Sequence, residues 1–161
     1  MLYLPDYARA LRCIGQALQN QKVEVFELES RAQEFRLQYG DPNPPYTALK
    51  EISFSLEELE ILDREGQARR GQSNAGIRFD SVAEMLRAVG GYINNKRAHL
   101  RRVNNGYTSM SDDPVVEIEY ETRTGVQLEN LTVSFLREAS VNMYKRRTRL
   151  SDPVSIFARQ S

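Results

Sequence analysis

The scarce reactive side chains of this 161-residue chain are one histidine, His99, and one cysteine, Cys13, and each stands alone. His99, in "AHL" at the start of an expected strand, has no serine, cysteine or acid at a spacing that would make a nucleophile and base pair. A structural or surface histidine is expected. Cys13, between Leu11 and Ile14, cannot form an internal disulfide and reads as a small core or flank residue. With so few soft ligands no metal site and no cofactor are expected. The carboxylates of "LEELEILDRE" fall on a helix where Glu57, Glu58, Glu60 and Asp63 are expected to be solvated. General acid and base work needs paired acids in a cleft with separated pKa values, and nothing in the sequence indicates one. A non-enzymatic protein is the expectation.

Arginine is the remaining residue type with recognisable chemistry. Two clusters stand out, "KRAHLRR" (96–102) and "YKRRTR" (144–149), the second adjoining Tyr144. Arg101, Arg102, Lys145, Arg146, Arg147 and Arg149 are therefore the candidate anion- or partner-binding residues, because a guanidinium fork suits phosphate and carboxylate alike. Cations closing a helix also complement its dipole, which accounts for the second cluster without any ligand. The whole chain carries 22 basic and 22 acidic residues, so no global field draws it to a polyanion or an anionic membrane. The charge is divided unequally: residues 1–76 hold 9 basic against 12 acidic, and residues 77–161 hold 13 against 10.

What must position these side chains is written twice. "LRCIGQALQNQ" (11–21) and "LRAVGGYINNK" (86–96) match at a shift of 75, with identities at Ala8/Ala83, Leu11/Leu86, Arg12/Arg87, Gly15/Gly90 and Asn20/Asn95. Beneath them Tyr7, Leu11, Ile14 and Leu18 share one helical stripe, as do Val82, Leu86, Val89 and Ile93. Asp6 and Ser81 stand at the N-caps, the second with Glu84 as a capping box. Asn20 and Asn95 stand where a left-handed C-terminal residue is wanted. Strands follow at 23–30, 34–40 and 49–54 in one half, with counterparts at 115–122 and 126–133 in the other. There the shift becomes 81, and the added residues lie in "NNGYTSMSDDP". Ser55 and Ser134 then cap a second helix in each half, and "GQSNAG" (71–76) links the halves.

The fold class expected is α+β. It would be an internal duplication of an α-β-β-β-α unit, with antiparallel sheet and pseudo-twofold symmetry, the repeats being 1–76 and 77–161 packed as one compact body. A glycine inside a helix costs about 1 kcal/mol relative to alanine, so Gly15 and Gly90, each seven residues after Ala8 or Ala83, mark close approach of a helix to another helix or to the sheet. Helix, three strands, helix is also the element order of double-stranded RNA-binding domains. The likeness stops at that order, since the second helices open on "SLEELE" and "SFLREA", acidic or near neutral where phosphate would have to be met.

With 40% hydrophobic residues the chain can bury one core. Its start, "MLYLPDYARALRC", lacks the apolar run of a signal peptide, and no stretch approaches the roughly 20 apolar residues of a membrane span. A cytoplasmic protein with no membrane contact is expected. Its function is expected to be structural or interactive, with itself or another protein as partner. Nucleic-acid or other polyanion binding is the alternative.

Overall fold

The computed structural model describes residues 2–18, 24–40, 49–70, 82–104, 115–140 and 150. Their elements run α1 (Tyr7–Leu18), β1 (Glu24–Ser30), β2 (Glu34–Gly40), β3 (Lys50–Ser55), α2 (Leu56–Arg70), α3 (Val82–Lys96), β4 (His99–Asn104), β5 (Val115–Thr122), β6 (Gly125–Thr132) and α4 (Val133–Ser140). All six strands join one sheet in the order β3-β2-β1-β4-β5-β6, every neighbour antiparallel. The protein is α+β, and no boundary divides its sheet: the two hairpin series meet at β1 and β4.

Strand alternation explains which face is covered. Phe35, Leu37 and Tyr39 of β2 are buried while Glu34, Arg36 and Gln38 between them are not, and Val116, Ile118 and Tyr120 of β5 repeat the pattern. The buried side chains pack with Leu11, Ile14, Leu59, Leu86, Val89, Ile93 and Leu136 of the helices in a single core. The described helices thus occupy one face of the sheet and, among the described residues, no helix lies on the other, here called the open face, as antiparallel sheets permit.

The register is centred on Leu28, which lies opposite Val103. From that pair a row on the covered face runs outward through Leu37 to half-buried Ile52 on one side and through Ile118 to half-buried Glu129 on the other. Each half also carries one register irregularity, at Phe26 between Val25 and Glu27, and at Arg101 between Leu100 and Arg102. Both fall beside the central pair of strands, where an extra residue bends the strand and sharpens the local twist.

Helices α1 and α3 cross above the sheet at Gly90. A Cβ placed there would lie 2.4 Å from the Tyr7 carbonyl oxygen and 2.6 Å from Cα of Ala8. Gly15 is also buried. The side chain of Ala83 lies outside the described residues. Polar groups pin the same crossing: the Tyr7 N–H donates to Asn94 Oδ1 at 2.9 Å, and Asn94 Nδ2 donates to Asp6 Oδ1 at 2.8 Å.

The helix caps agree with the sequence at two places and depart from it at two. Asp6 Oδ1 accepts the Arg9 N–H at 3.2 Å, and Ser55 forms a capping box with Glu58, the Glu58 N–H donating to Ser55 Oγ at 3.1 Å. His99 opens β4 as expected. The cap of α4, however, is Thr132 and not Ser134: β6 ends at Thr132, the helix starts two residues earlier than expected, and the Phe135 N–H donates to Thr132 Oγ1 at 3.1 Å. Asn95 stays helical, and the left-handed residue is Arg97, at φ 53°. Its N–H reaches Asn94 O and the next N–H reaches Ile93 O, closing α3 in the doubled pattern that favours glycine at this place. Ser81 and Asn20 lie outside the described residues. Arg97→Gly is expected to raise stability by up to about 1 kcal/mol, because glycine adopts a positive φ without steric cost. Chemical denaturation checks this, and a loss of stability would mean that the Arg97 side chain outweighs its strained backbone.

Candidate interaction surface

The open face is built from the strand positions that alternate with the core. One row crosses all six strands through Ser53, Arg36, Glu29, Arg102, Glu119 and Leu128. The next runs through Glu51, Gln38, Glu27, Asn104, Glu117 and Asn130. Not one of these twelve is buried. The first row alternates in sign along its four central strands, and in the second every other position is a glutamate.

Within the chain the charges are partly satisfied. Arg36 Nε donates to Glu51 Oε1 at 2.6 Å and its Nη1 to Glu29 Oε2 at 3.4 Å, while Arg31 Nε lies 3.5 Å from Glu29 Oε1. Arg101 Nε is 3.3 Å from Glu119 Oε2. Arg102 is exposed and has no ion-pair partner among the described residues. A depression of about 380 Å³ is lined by Glu29, Ser30, Arg101, Arg102, Glu119 and Glu121.

Two of the six candidate cations, Arg101 and Arg102, therefore sit together on this face, in central strand β4. Three glutamates surround them, so a phosphate backbone laid here would meet carboxylate repulsion along with any guanidinium contact. Lys145, Arg146, Arg147 and Arg149 lie outside the described residues. The glutamates and Arg36 escaped the sequence reading, although the period of two in "VVEIEYET" already places Glu117, Glu119 and Glu121 opposite a buried face. What was missing was the strand order that sets Arg102 beside Glu29 and Glu119.

The two edges of the sheet differ. Edge strand β3 begins with exposed Lys50 and Glu51, charges that discourage pairing with another chain. Edge strand β6 has Val126 and Leu128 exposed on the open face, and Phe135 of α4 is exposed beside it. On its covered face Glu129 accepts hydrogen bonds from Tyr92 Oη, at 2.9 and 3.0 Å, and from Tyr120 Oη. Burial and this carboxylate push the Tyr120 phenol up to about 12, and Tyr92 shifts in the same direction for the same reasons. The unfolded chain loses these protons from about pH 10, whereas the native state holds them longer, so stability is full below pH 10 and falls as the pH rises towards 12. Urea unfolding between about pH 9 and 11 is expected to show a shallower loss for Tyr120→Phe than for the parent. An equal slope would mean that Tyr120 titrates in the folded protein as it does in the unfolded chain.

The remaining reactive groups are built into the core. His99 is buried, against the alternative of a surface histidine, with its Nδ1 3.0 Å from Tyr7 Oη and its ring edge-on to Tyr3. The Tyr7 hydroxyl donates to Leu2 O at 3.0 Å and accepts the Leu4 N–H at 3.3 Å, so it also ties down the N-terminal segment. Burial raises its pKa. Cys13 is buried, and Asp63, expected to be solvated, is buried as well, held at two points by Arg9 of α1. Helix α2 therefore turns one acid inward to α1 while Glu57 and Glu58 stay exposed.

Among the described residues no group of three or more His, Cys, Asp or Glu is placed to hold a metal ion, and no helix is long and apolar enough to cross a membrane. Comparison with protein-family models, curated proteins and solved structures found no match to this chain.

Proposed function

We propose that the chain is a non-enzymatic interaction protein that associates with itself, built as two α-β-β-β-α repeats, 1–76 and 77–161. The observation that carries the self-association is the face that no described helix covers: six strands wide, charged in regular rows, and bordered on β6 by exposed Val126 and Leu128. A patterned surface of this kind suits recognition of a complementary surface. The duplication is supported by the register. Val25, Phe26 and Leu28 correspond to Leu100, Arg101 and Val103 at a shift of 75, and Leu37 and Tyr39 correspond to Ile118 and Tyr120 at a shift of 81. The same two shifts relate the halves in sequence, and the bulges at Phe26 and Arg101 are equivalent under the first of them.

Light scattering after size exclusion, across a range of concentration and salt, tests the association. A concentration-dependent oligomer that weakens as salt rises is expected, because exposed charges are screened within about 10 Å at 0.1 M. A monomer under all conditions would exclude it. Polyanion binding through the arginine clusters is the competing reading, and the glutamates around Arg101 and Arg102 oppose it. Nucleic-acid binding that falls with salt and is abolished by reversing Arg146 and Arg147 would establish that reading in its place.

A further inference from the structure

From the charge pattern of the open face, and resting on the self-association just proposed, we infer that two copies of this chain pack sheet to sheet about a twofold axis parallel to the strands. Such an axis lays β1 of one copy over β4 of the other, β2 over β5, and β3 over β6. In the first row Arg36 then faces Glu119 of the second copy, and Glu29 faces Arg102 of the second copy, each pair occurring twice by symmetry. Every charge meets its opposite, since the row reads plus, minus, plus, minus from β2 to β5. In the second row each glutamate meets an amide: Glu51 faces Asn130, Glu117 faces Gln38, and Glu27 faces Asn104. A side-chain amide donates hydrogen bonds that a carboxylate accepts. Arg102, exposed and without an in-chain ion pair among the described residues, finds its partner in Glu29 of the other copy.

The pattern selects this axis over its alternative. A twofold axis in the same plane but across the strands would set Glu29 against Glu27 and Glu119 against Glu117, and like charges placed together cost several kcal/mol. Aligned packing of two twisted sheets is the ordinary geometry of a β-sandwich, with closest approach near the middle of the faces. Further along the strands Glu34 would face Glu121, and Arg31 would lie over the β4 position of His99, beside the bulged Arg101. That row lies at the end of the sheet, where twist carries the two faces apart, and there Arg31 and Arg101 keep their own partners Glu29 and Glu119. Interfaces about a twofold axis are self-complementary by construction, and this one is so at ten of its twelve positions, with Ser53 over Leu128 at the margin.

Two complementary variants test the inference. An acidic chain, Arg36→Glu with Arg102→Glu, places glutamate against glutamate across the axis. A basic chain, Glu29→Arg with Glu119→Arg, places arginine against arginine. Sedimentation of either alone is expected to show association weakened at least about tenfold relative to the parent. An equimolar mixture is expected to restore a dimer containing one chain of each kind, because all four contacts regain opposite sign. Should either double variant lose its cooperative melt, the milder pair Arg102→Glu and Glu29→Arg carries the same test through one contact type. If the variants associate as the parent does, or if the folded mixture stays monomeric, this packing is wrong, although self-association through another surface such as the β6 edge stands. A parent chain that is monomeric throughout removes both this packing and the function on which it rests.

Discussion

Gly90→Ala is expected to destabilise the protein by about 2 kcal/mol or more, although alanine is the better helix former by about 1 kcal/mol. The added Cβ would lie 2.4 Å from the carbonyl oxygen of Tyr7, 2.5 Å from its carbonyl carbon and 2.6 Å from Cα of Ala8. All three atoms are backbone, so no side chain can rotate away, and one helix has to move off the other. That movement strains the bonds from Asn94 to the Tyr7 N–H and to Asp6, which hold the start of α1 on α3. Gly90→Leu, with more volume to place, is expected to cost more. Equilibrium urea unfolding of the two variants decides it, the expectation being a lower midpoint in both. A gain in stability from alanine would show that the helices have room to separate.

The second large effect is expected at Arg9. Replacing it by methionine keeps most of the apolar stem and removes the guanidinium that holds Asp63 at two points. The Asp63 side chain is only 3% exposed, so its carboxylate would stay in the seam between α1 and α2 without its main counter-charge. Breaking a buried pair from one side typically costs about 3–5 kcal/mol, whereas replacing both members by apolar groups is often close to neutral. Arg9→Met is therefore expected to lose about 3 kcal/mol, and Arg9→Met with Asp63→Leu to recover most of it. Thermal and urea unfolding of the single and double variants measure the difference. If the double variant is as unstable as the single one, packing of the arginine stem and not the charge pair holds the two helices together.

How far the sequence reaches depends on the distance over which each feature is determined. The stripe Tyr7, Leu11, Ile14, Leu18 and the alternation in "EFRLQYG" and "VVEIEYET" are local signals, and these elements stand where period and hydrophobicity put them. The boundaries at Thr132 and Arg97 differ by two residues from expectation, because the choice among neighbouring polar residues is made by where the strand or helix packs. Asp63 was misread for a longer-range reason: its partner Arg9 lies in another helix, and within "LEELEILDRE" nothing distinguishes the one inward acid from the outward ones. The open face was half legible. Alternation assigns its glutamates to one side of their strand, but the opposition of Arg102 to Glu29 and Glu119 follows only from the order in which strands are joined.

The pairing of β1 with β4 also bears on how the chain reaches its native state. Strands within each half are joined by close neighbours in sequence and can zip as hairpins. Leu28 and Val103, by contrast, are separated by 103 − 28 = 75 residues, and the same long span must close to bring Gly90 under Tyr7. Contacts of that range gain nothing until the loop between them has lost its entropy. Joining of the two halves is therefore the expected barrier, with the helix crossing and the central strand pair formed together in the transition state. Stopped-flow kinetics of Gly90→Ala are the measure of it: a slower folding rate places the crossing at the barrier, and a change confined to unfolding places it after.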